Sequence, residues 1–310
     1  MRRARVVVEA RAKLNLALVV GPRRDDGDHE LATVFQSISL ADTLIAEPRA
    51  RGFSLVIRHE NAALRGTTPI DSDIRADDEN LVLRAARGFA GAFGVRSGAG
   101  FVLLKRIPSR AGLGGGSADA AAALRAMAAL HDLRPRRARL MALAAGLGAD
   151  VPFALFGGTA LGFGRGERLE RLRLAEPLHA VLAVPGWRIR TAAAFQRIDR
   201  AKYGLTRWNA KLRSLQALRR RPVTATDALR LGNSFEDVLG EFRARFDSLS
   251  HRLAAAGLSC VRMTGSGSAV FGVAASEAEA RGIVGRVNGR EPLYLVRSTG
   301  AGHLLRKLET

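Results

Sequence analysis

Apolar and polar positions in this chain alternate with two periods, and the switches between them outline its elements. Residues 4–9 and 13–20 have a period of two and read as strands. In the second run Lys13 and Asn15 share one face and Leu14 and Leu16 the other, so two polar side chains point together from an apolar strand. Residues 33–40, 43–47, 53–58 and the Gly-Phe-Val-Leu-Leu run at 100–104 are also strand-like. A helical pattern starts at Asn80, a suitable N-cap, and returns at 117–130 and about 135–145, stopping in Gly146-Leu-Gly148. Strands follow from Thr159 and over 179–185, then a helix from Thr191. The last third alternates helices at 234–243, 245–256 and 276–287 with strands at 260–263, 269–273 and 293–297. The mixture predicts an α+β protein.

Glycine marks the place where these elements invite chemistry. Gly112, Gly114, Gly115 and Gly116 stand between a strand and an alanine-rich helix expected to begin near Ser117. Such a loop brings backbone N–H groups together, and the helix adds its unpaired N–H groups and positive end, which suits phosphate. Gly115 is expected to leave room for a triphosphate at a φ that a β-branched residue resists. No Lys-Ser or Lys-Thr follows the last glycine, and Ser117 stands where GxGxxG needs its third glycine, so neither common nucleotide motif fits. A flexible linker would be flanked by polar low-complexity sequence, not by strand and helix. Asp150, directly after a helix stop, is as readily an N-cap as a reactive carboxylate. His29, after the turn at 21–27, is a lone histidine of the kind that is usually structural. The polar loop 59–78 holds Asp71, Asp73, Asp77 and Asp78 without the spacing of a calcium loop, and reads as solvated.

Composition narrows the class. With 310 residues, 47% of them hydrophobic, the chain can build two domains with ample cores. A net charge of +20 ordinarily raises nucleic acid or membrane as a partner. Here 44 of the 49 basic residues are scattered arginines, and only 5% of residues are aromatic, so no interleaved basic-aromatic module forms. The segment 197–230, with ten basic residues against Asp199 and Asp227, reads as a solvated helical face. Against that arginine background the lysines at 13 and 105 stand out, since both fall inside candidate motifs. The single cysteine, Cys260, excludes an internal disulfide. Glu9 and Arg11 interrupt any apolar leader at the start, and no apolar run approaches membrane length, so a cytoplasmic location is expected.

Pro108-x3-Gly112-Leu-Gly-Gly-Gly-Ser117 resembles the phosphate loop of the GHMP kinases, small-molecule kinases that bind ATP without a Walker motif. Ala12-Lys-Leu-Asn-Leu16, Asp26-Gly-Asp-His29, Gly148-Ala-Asp-Val-Pro152 and Met263-Thr-Gly-Ser-Gly-Ser268 are similar, in order, to signatures of the branch that phosphorylates a cytidine diphosphate-linked polyol. The resemblance implies the GHMP kinase fold, with a ribosomal protein S5 domain 2-like domain over 1–165 and a ferredoxin-like domain over 166–310. It implies ATP and Mg2+ as cofactors, a site between the domains, at most a weak homodimer, and no nucleic acid or membrane partner. It places Lys13 and Asp150 at the reacting hydroxyl, with Asp150 taking the proton, and Asn15, Asp28, His29, Thr191 and Phe195 on the substrate. Asn80, Lys105, Pro108, Gly112, Leu113, Gly114, Gly115, Gly116, Ser117 and Ala118 fall on ATP, and Ser117 and Asp119 are candidates for magnesium. The family carries an aromatic residue before the histidine, stacked on cytosine. Asp28 stands there, so one face of the clamp is expected to be missing. The alternatives are a kinase of this family acting on another alcohol, a non-catalytic nucleotide sensor, which retention of both Lys13 and Asp150 disfavours, and an RNA-binding module.

Overall fold

The computed structural model describes residues 4–68, 74–201 and 205–309. Its spine is an antiparallel pair of long strands, β1 (Ala4–Arg23) and β2 (His29–Arg49). Each joins segments that the pattern separates, because the pairing skips rather than turns: it jumps from Arg11–Ala41 to Lys13–Ser37 and from Asn15–Phe35 to Ala17–Val34. The first skip leaves the alternation along β1 unbroken, while the second inserts one extra β1 residue, so that Ala17 and Val19 join the core entered by Leu14 and Leu16. With the alternation kept, Val6, Val8 and Ala10 enter one core, Ala12, Leu14 and Leu16 enter a second, and Lys13 and Asn15 face a cavity.

After β3 (Phe53–His59) come α1 (Leu81–Phe93) and β4 (Gly98–Lys105), which returns parallel to β3. Then follow α2 (Gly115–Leu130), α3 (Arg137–Leu147), α4 (Val151–Phe156), β5 (Thr159–Gly164) and β6 (Arg168–Leu172). Alanines at 118, 120–123 and 126 are buried, and their small size lets α2 lie closely on β1 and against α1 and α4. Helix α2 begins at Gly115, two residues before the expected start, and α4 is a short helix where only a helix stop was expected. Asp77 accepts the N–H groups of Asn80 and Glu79 ahead of α1, and Asp78 pairs with Arg87; Asp71 and Asp73 lie outside the described residues.

The remainder comprises β7 (His179–Ala183), α5 (Thr191–Arg200), α6 (Leu205–Ala217), α7 (Ala225–Leu229), α8 (Arg243–Ala255), β8 (Ser259–Met263), β9 (Val270–Ala274), α9 (Glu277–Arg286), β10 (Leu293–Arg297) and β11 (His303–Glu309). Residues 234–242 form two short 3-10 turns instead of the expected helix. The run β7-α8-β8-β9-α9-β10 folds into a sheet of order β10-β7-β9-β8, the split β-α-β arrangement of ferredoxin-like folds. β6 and β11, which follow residue 165, belong to the first sheet, β6 on β5 and β11 on β1. Between the sheets, Leu14 and Leu16 pack with Leu182, Phe271 and Tyr294. Burying each leucine contributes about 1.5–3 kcal/mol. No helix among the described residues is long and apolar enough to cross a membrane.

Candidate active site

Two cavities meet at the glycine loop. One, of about 390 Å³, is lined by residues that include Lys13, Asn15, Asp28, His29, Thr33, Asp150, Arg165, Thr191, Phe195, Phe235 and Ser266. The other, of about 380 Å³, is lined by Asn80, Leu81, Lys105, Pro108, Leu113, Gly115, Gly116 and Asp119 among others. Gly112, Gly114 and Ser117 belong to both walls. A group transferred between the cavities passes there.

On the second side, Gly114 is the N-cap of α2 in the left-handed region, φ +70°, and the first helical bond runs from Ala118 N–H to the Gly114 carbonyl at 2.9 Å. The N–H groups of Gly115, Gly116 and Ser117 therefore have no helical acceptor, an arrangement suited to an anion. Left-handed torsions are required at Gly112 and Gly114, not at Gly115, which is helical. Ala118 lines neither cavity, its N–H being used inside the helix. Asn80 accepts Val82 N–H at 3.0 Å, capping α1 while remaining on the cavity wall.

Lys105 is buried against two carboxylates, Asp42 and, at 2.8 Å, Asp119. Burial pulls its ammonium down, but Asp119 and Asp42 outweigh that and hold it above the usual lysine range. Asp119 is pushed up by burial, with Lys105 opposing and Asp42 adding. One Asp119 oxygen, Oδ1, is buried without a partner. Asp42 also accepts the N–H groups of Arg106 and Ile107, at 2.5 and 2.8 Å, and so pins the start of the loop. Asp42→Ala would leave the buried Lys105 ammonium to Asp119 alone and strand two N–H groups, which costs about 3–5 kcal/mol. A lower urea midpoint with unchanged m is the expected outcome; an unmoved midpoint would show that the loop is held without it.

On the first side, Lys13 Nζ donates to Asn15 Oδ1 at 2.5 Å and lies 3.7 Å from Asp150 Oδ2. Asn15 Nδ2 donates to Thr33 Oγ1 at 2.8 Å, and that hydroxyl donates to the Ala17 carbonyl at 2.6 Å. The amide is thereby fixed with its oxygen toward the lysine. Burial draws Lys13 below the usual lysine range, and Asp150 acts against that. Asp150 occupies the N-cap position of α4 but makes no side-chain cap bond. Its carboxylate, 34% exposed, faces the cavity, which removes the cap reading.

At the far end, the buried His29 stacks on Phe195, centroids 5.1 Å apart at 20°, and Phe195 meets Phe235 edge-on at 5.0 Å. His29 Nε2 lies 2.8 Å from Asp199 Oδ1. Asp28 pairs with Arg165 at 3.3 Å on the cavity rim, and Thr191 shares a hydrogen bond with Ser266 at 2.9 Å. The sequence pattern is silent on Asp42, Thr33, Arg165, Asp199 and Phe235, whose partners are distant in the chain. Its only signal is a polar residue inside an apolar strand, as at Thr33.

This is the fold and loop of a small-molecule kinase. The family model "GHMP kinases N terminal domain" matches residues 80–158, which carry the loop and Asp150. A 4-diphosphocytidyl-2-C-methyl-D-erythritol kinase of Pelotomaculum thermopropionicum is 41% identical over 291 residues, 94% of this chain and 96% of the relative. A solved 4-(cytidine 5'-diphospho)-2C-methyl-D-erythritol kinase is 35% identical, with a TM-score of 0.74 over 95% of this chain and all of that one. A homoserine kinase structure from Cytophaga hutchinsonii aligns over 99% of this chain and 98% of its own at a TM-score of 0.76, but at 17% identity shares the fold alone. The chain belongs to the GHMP kinases, in the family of 4-diphosphocytidyl-2-C-methyl-D-erythritol kinases. It is an ATP-using phosphotransferase with an alcohol acceptor.

Proposed function

We propose that the chain transfers the γ-phosphoryl group of ATP to the 2-hydroxyl of 4-diphosphocytidyl-2-C-methyl-D-erythritol, in the methylerythritol phosphate route to isoprenoid precursors. One observation carries the reading: Lys13 and Asp150, 3.7 Å apart, stand in the substrate-sized cavity where it meets the phosphate loop. ATP lies over Gly112–Ser117 with its phosphates on the free N–H groups at the start of α2. Asp150 accepts the proton of the hydroxyl as its oxygen bonds the γ-phosphorus and the bond to the β-phosphate oxygen breaks. Lys13, 3.7 Å from Asp150, meets the charge on the moving phosphoryl group. Asn15 orients Lys13.

Mg2+ fits the second cavity, since the unpartnered Asp119 Oδ1 and the Ser117 hydroxyl offer hard oxygen ligands there. Among the described residues no cluster of three metal-ligating side chains exists, as suits an ion that takes most of its ligands from phosphate and water. When bound, it neutralises phosphate charge. Residues 1–165 supply the loop, and 166–310 supply Thr191, Phe195 and Ser266 at the base end. The other partners proposed are none beyond a weak second copy of the chain, in the cytoplasm.

Phosphorus-31 resonance of the product tests the reading: a new phosphomonoester on the cytidine compound, formed only with ATP, is expected, and its absence would overturn it. A second alcohol substrate is favoured only by Asp28. Because Asp28 is paired with Arg165, its charge is partly answered and the missing aromatic is the larger defect. Asp28→Tyr is expected to lower KM for the cytidine substrate and leave KM for ATP unchanged, since base stacking is worth about 1–3 kcal/mol. An equal or higher KM would mean that the base is held by another arrangement.

A further inference from the structure

We infer that Asp199 sets which pyrimidine the cavity accepts, by fixing the tautomer of His29; the inference rests on the cytidine-substrate reading above. The two residues are 170 positions apart in sequence, yet Nε2 and Oδ1 are separated by 2.8 Å. A carboxylate only accepts hydrogen bonds, so Nε2 carries the proton. Phe195 precedes Asp199 by one helical turn on α5 and lies on the same helix face. It stacks on the imidazole at 5.1 Å. One helix thus holds the ring by its plane and by one edge, and the ring cannot turn over without losing the hydrogen bond.

The other ring nitrogen, Nδ1, has no hydrogen-bond partner in the protein among the described residues, and His29 lines the substrate cavity. In the neutral Nε2–H ring, Nδ1 offers a lone pair. Cytosine carries an amino donor at position 4, and uracil carries a carbonyl acceptor there. Cytosine therefore satisfies Nδ1, whereas uracil sets lone pair against lone pair. Without Asp199 the proton is free to move to Nδ1 and donate to the uracil carbonyl. Asp199 acts through His29, as a positioning residue.

CDP and UDP, tested as competitive inhibitors against the cytidine substrate, measure this in the full chain. The wild type is expected to prefer CDP, and Asp199→Ala to reduce that preference by about 10–100-fold, the span of one mismatched buried hydrogen bond. Asp199→Asn keeps an acceptor oxygen at the same reach and is expected to restore it, with KM for ATP constant throughout. Long-range proton–nitrogen resonance of the wild type, which needs no variant, should show His29 as the neutral Nε2–H tautomer. An Nδ1–H or doubly protonated ring would overturn the inference. So would an undiminished CDP preference in Asp199→Ala while CDP still competes. Failure of CDP to compete in the wild type would instead overturn the substrate reading, and the inference with it.

Discussion

Asp150→Asn is expected to lower kcat by about 10²–10⁴-fold, leaving KM for ATP and the melting temperature close to wild type. The separation of effects comes from geometry. The carboxylate makes no cap bond to α4 and is partly open to the cavity, so the helix does not depend on its charge. Among the described residues its one ionic partner is Lys13 at 3.7 Å, and the amide leaves that lysine its bond to Asn15. What the amide cannot do is take the hydroxyl proton. A variant with near-wild-type kcat would remove Asp150 from the chemistry.

Gly114→Val is expected to damage nucleotide binding, turnover and stability together. Its φ of +70° is strained for a β-branched residue, and such strain costs about 1–3 kcal/mol. The added Cβ would also sit 3.1 Å from Lys13 Cγ and 3.7 Å from Asp150 Oδ2, displacing the catalytic pair. Gly116→Ala is the control, because its Cβ meets only Leu81 Cδ1 at 3.6 Å and its torsions are helical. Gly115→Val, by contrast, acts by crowding Ile107 Cγ2 at 3.1 Å and Lys105 Nζ at 3.4 Å, not through the positive φ expected from the sequence. Calorimetric titration with a non-hydrolysable ATP analogue should show weaker binding for Gly114→Val. Unchanged affinity would place the phosphates elsewhere.

Local chemistry was legible in the sequence wherever neighbouring residues decide it. The glycine run, the alternation at Lys13 and Asn15 and the carboxylate behind a helix stop all depend on short-range pattern. The pairing skips between β1 and β2 were not legible, because they depend on which β2 residues lie opposite. β11 was missed for a related reason. As an edge strand it needs little apolar content, and only its pairing with β1 makes it a strand. Asp199 sits in the basic segment that reads as a solvated face, and nothing within a helical turn reveals a histidine 170 positions away. Asp42 reads as a break between two strands, whereas burial makes it the anchor of Lys105 and of the loop.

Release of ADP, followed by coupled assay with three candidate acceptors, tests the central claim most directly. The acceptors are 4-diphosphocytidyl-2-C-methyl-D-erythritol, the same polyol phosphate lacking the cytidylyl group, and homoserine. The account predicts rapid ADP release with the first alone, abolished by Asp150→Asn. Comparable release with homoserine or the uncytidylated polyol, or none with the cytidine compound, would contradict it.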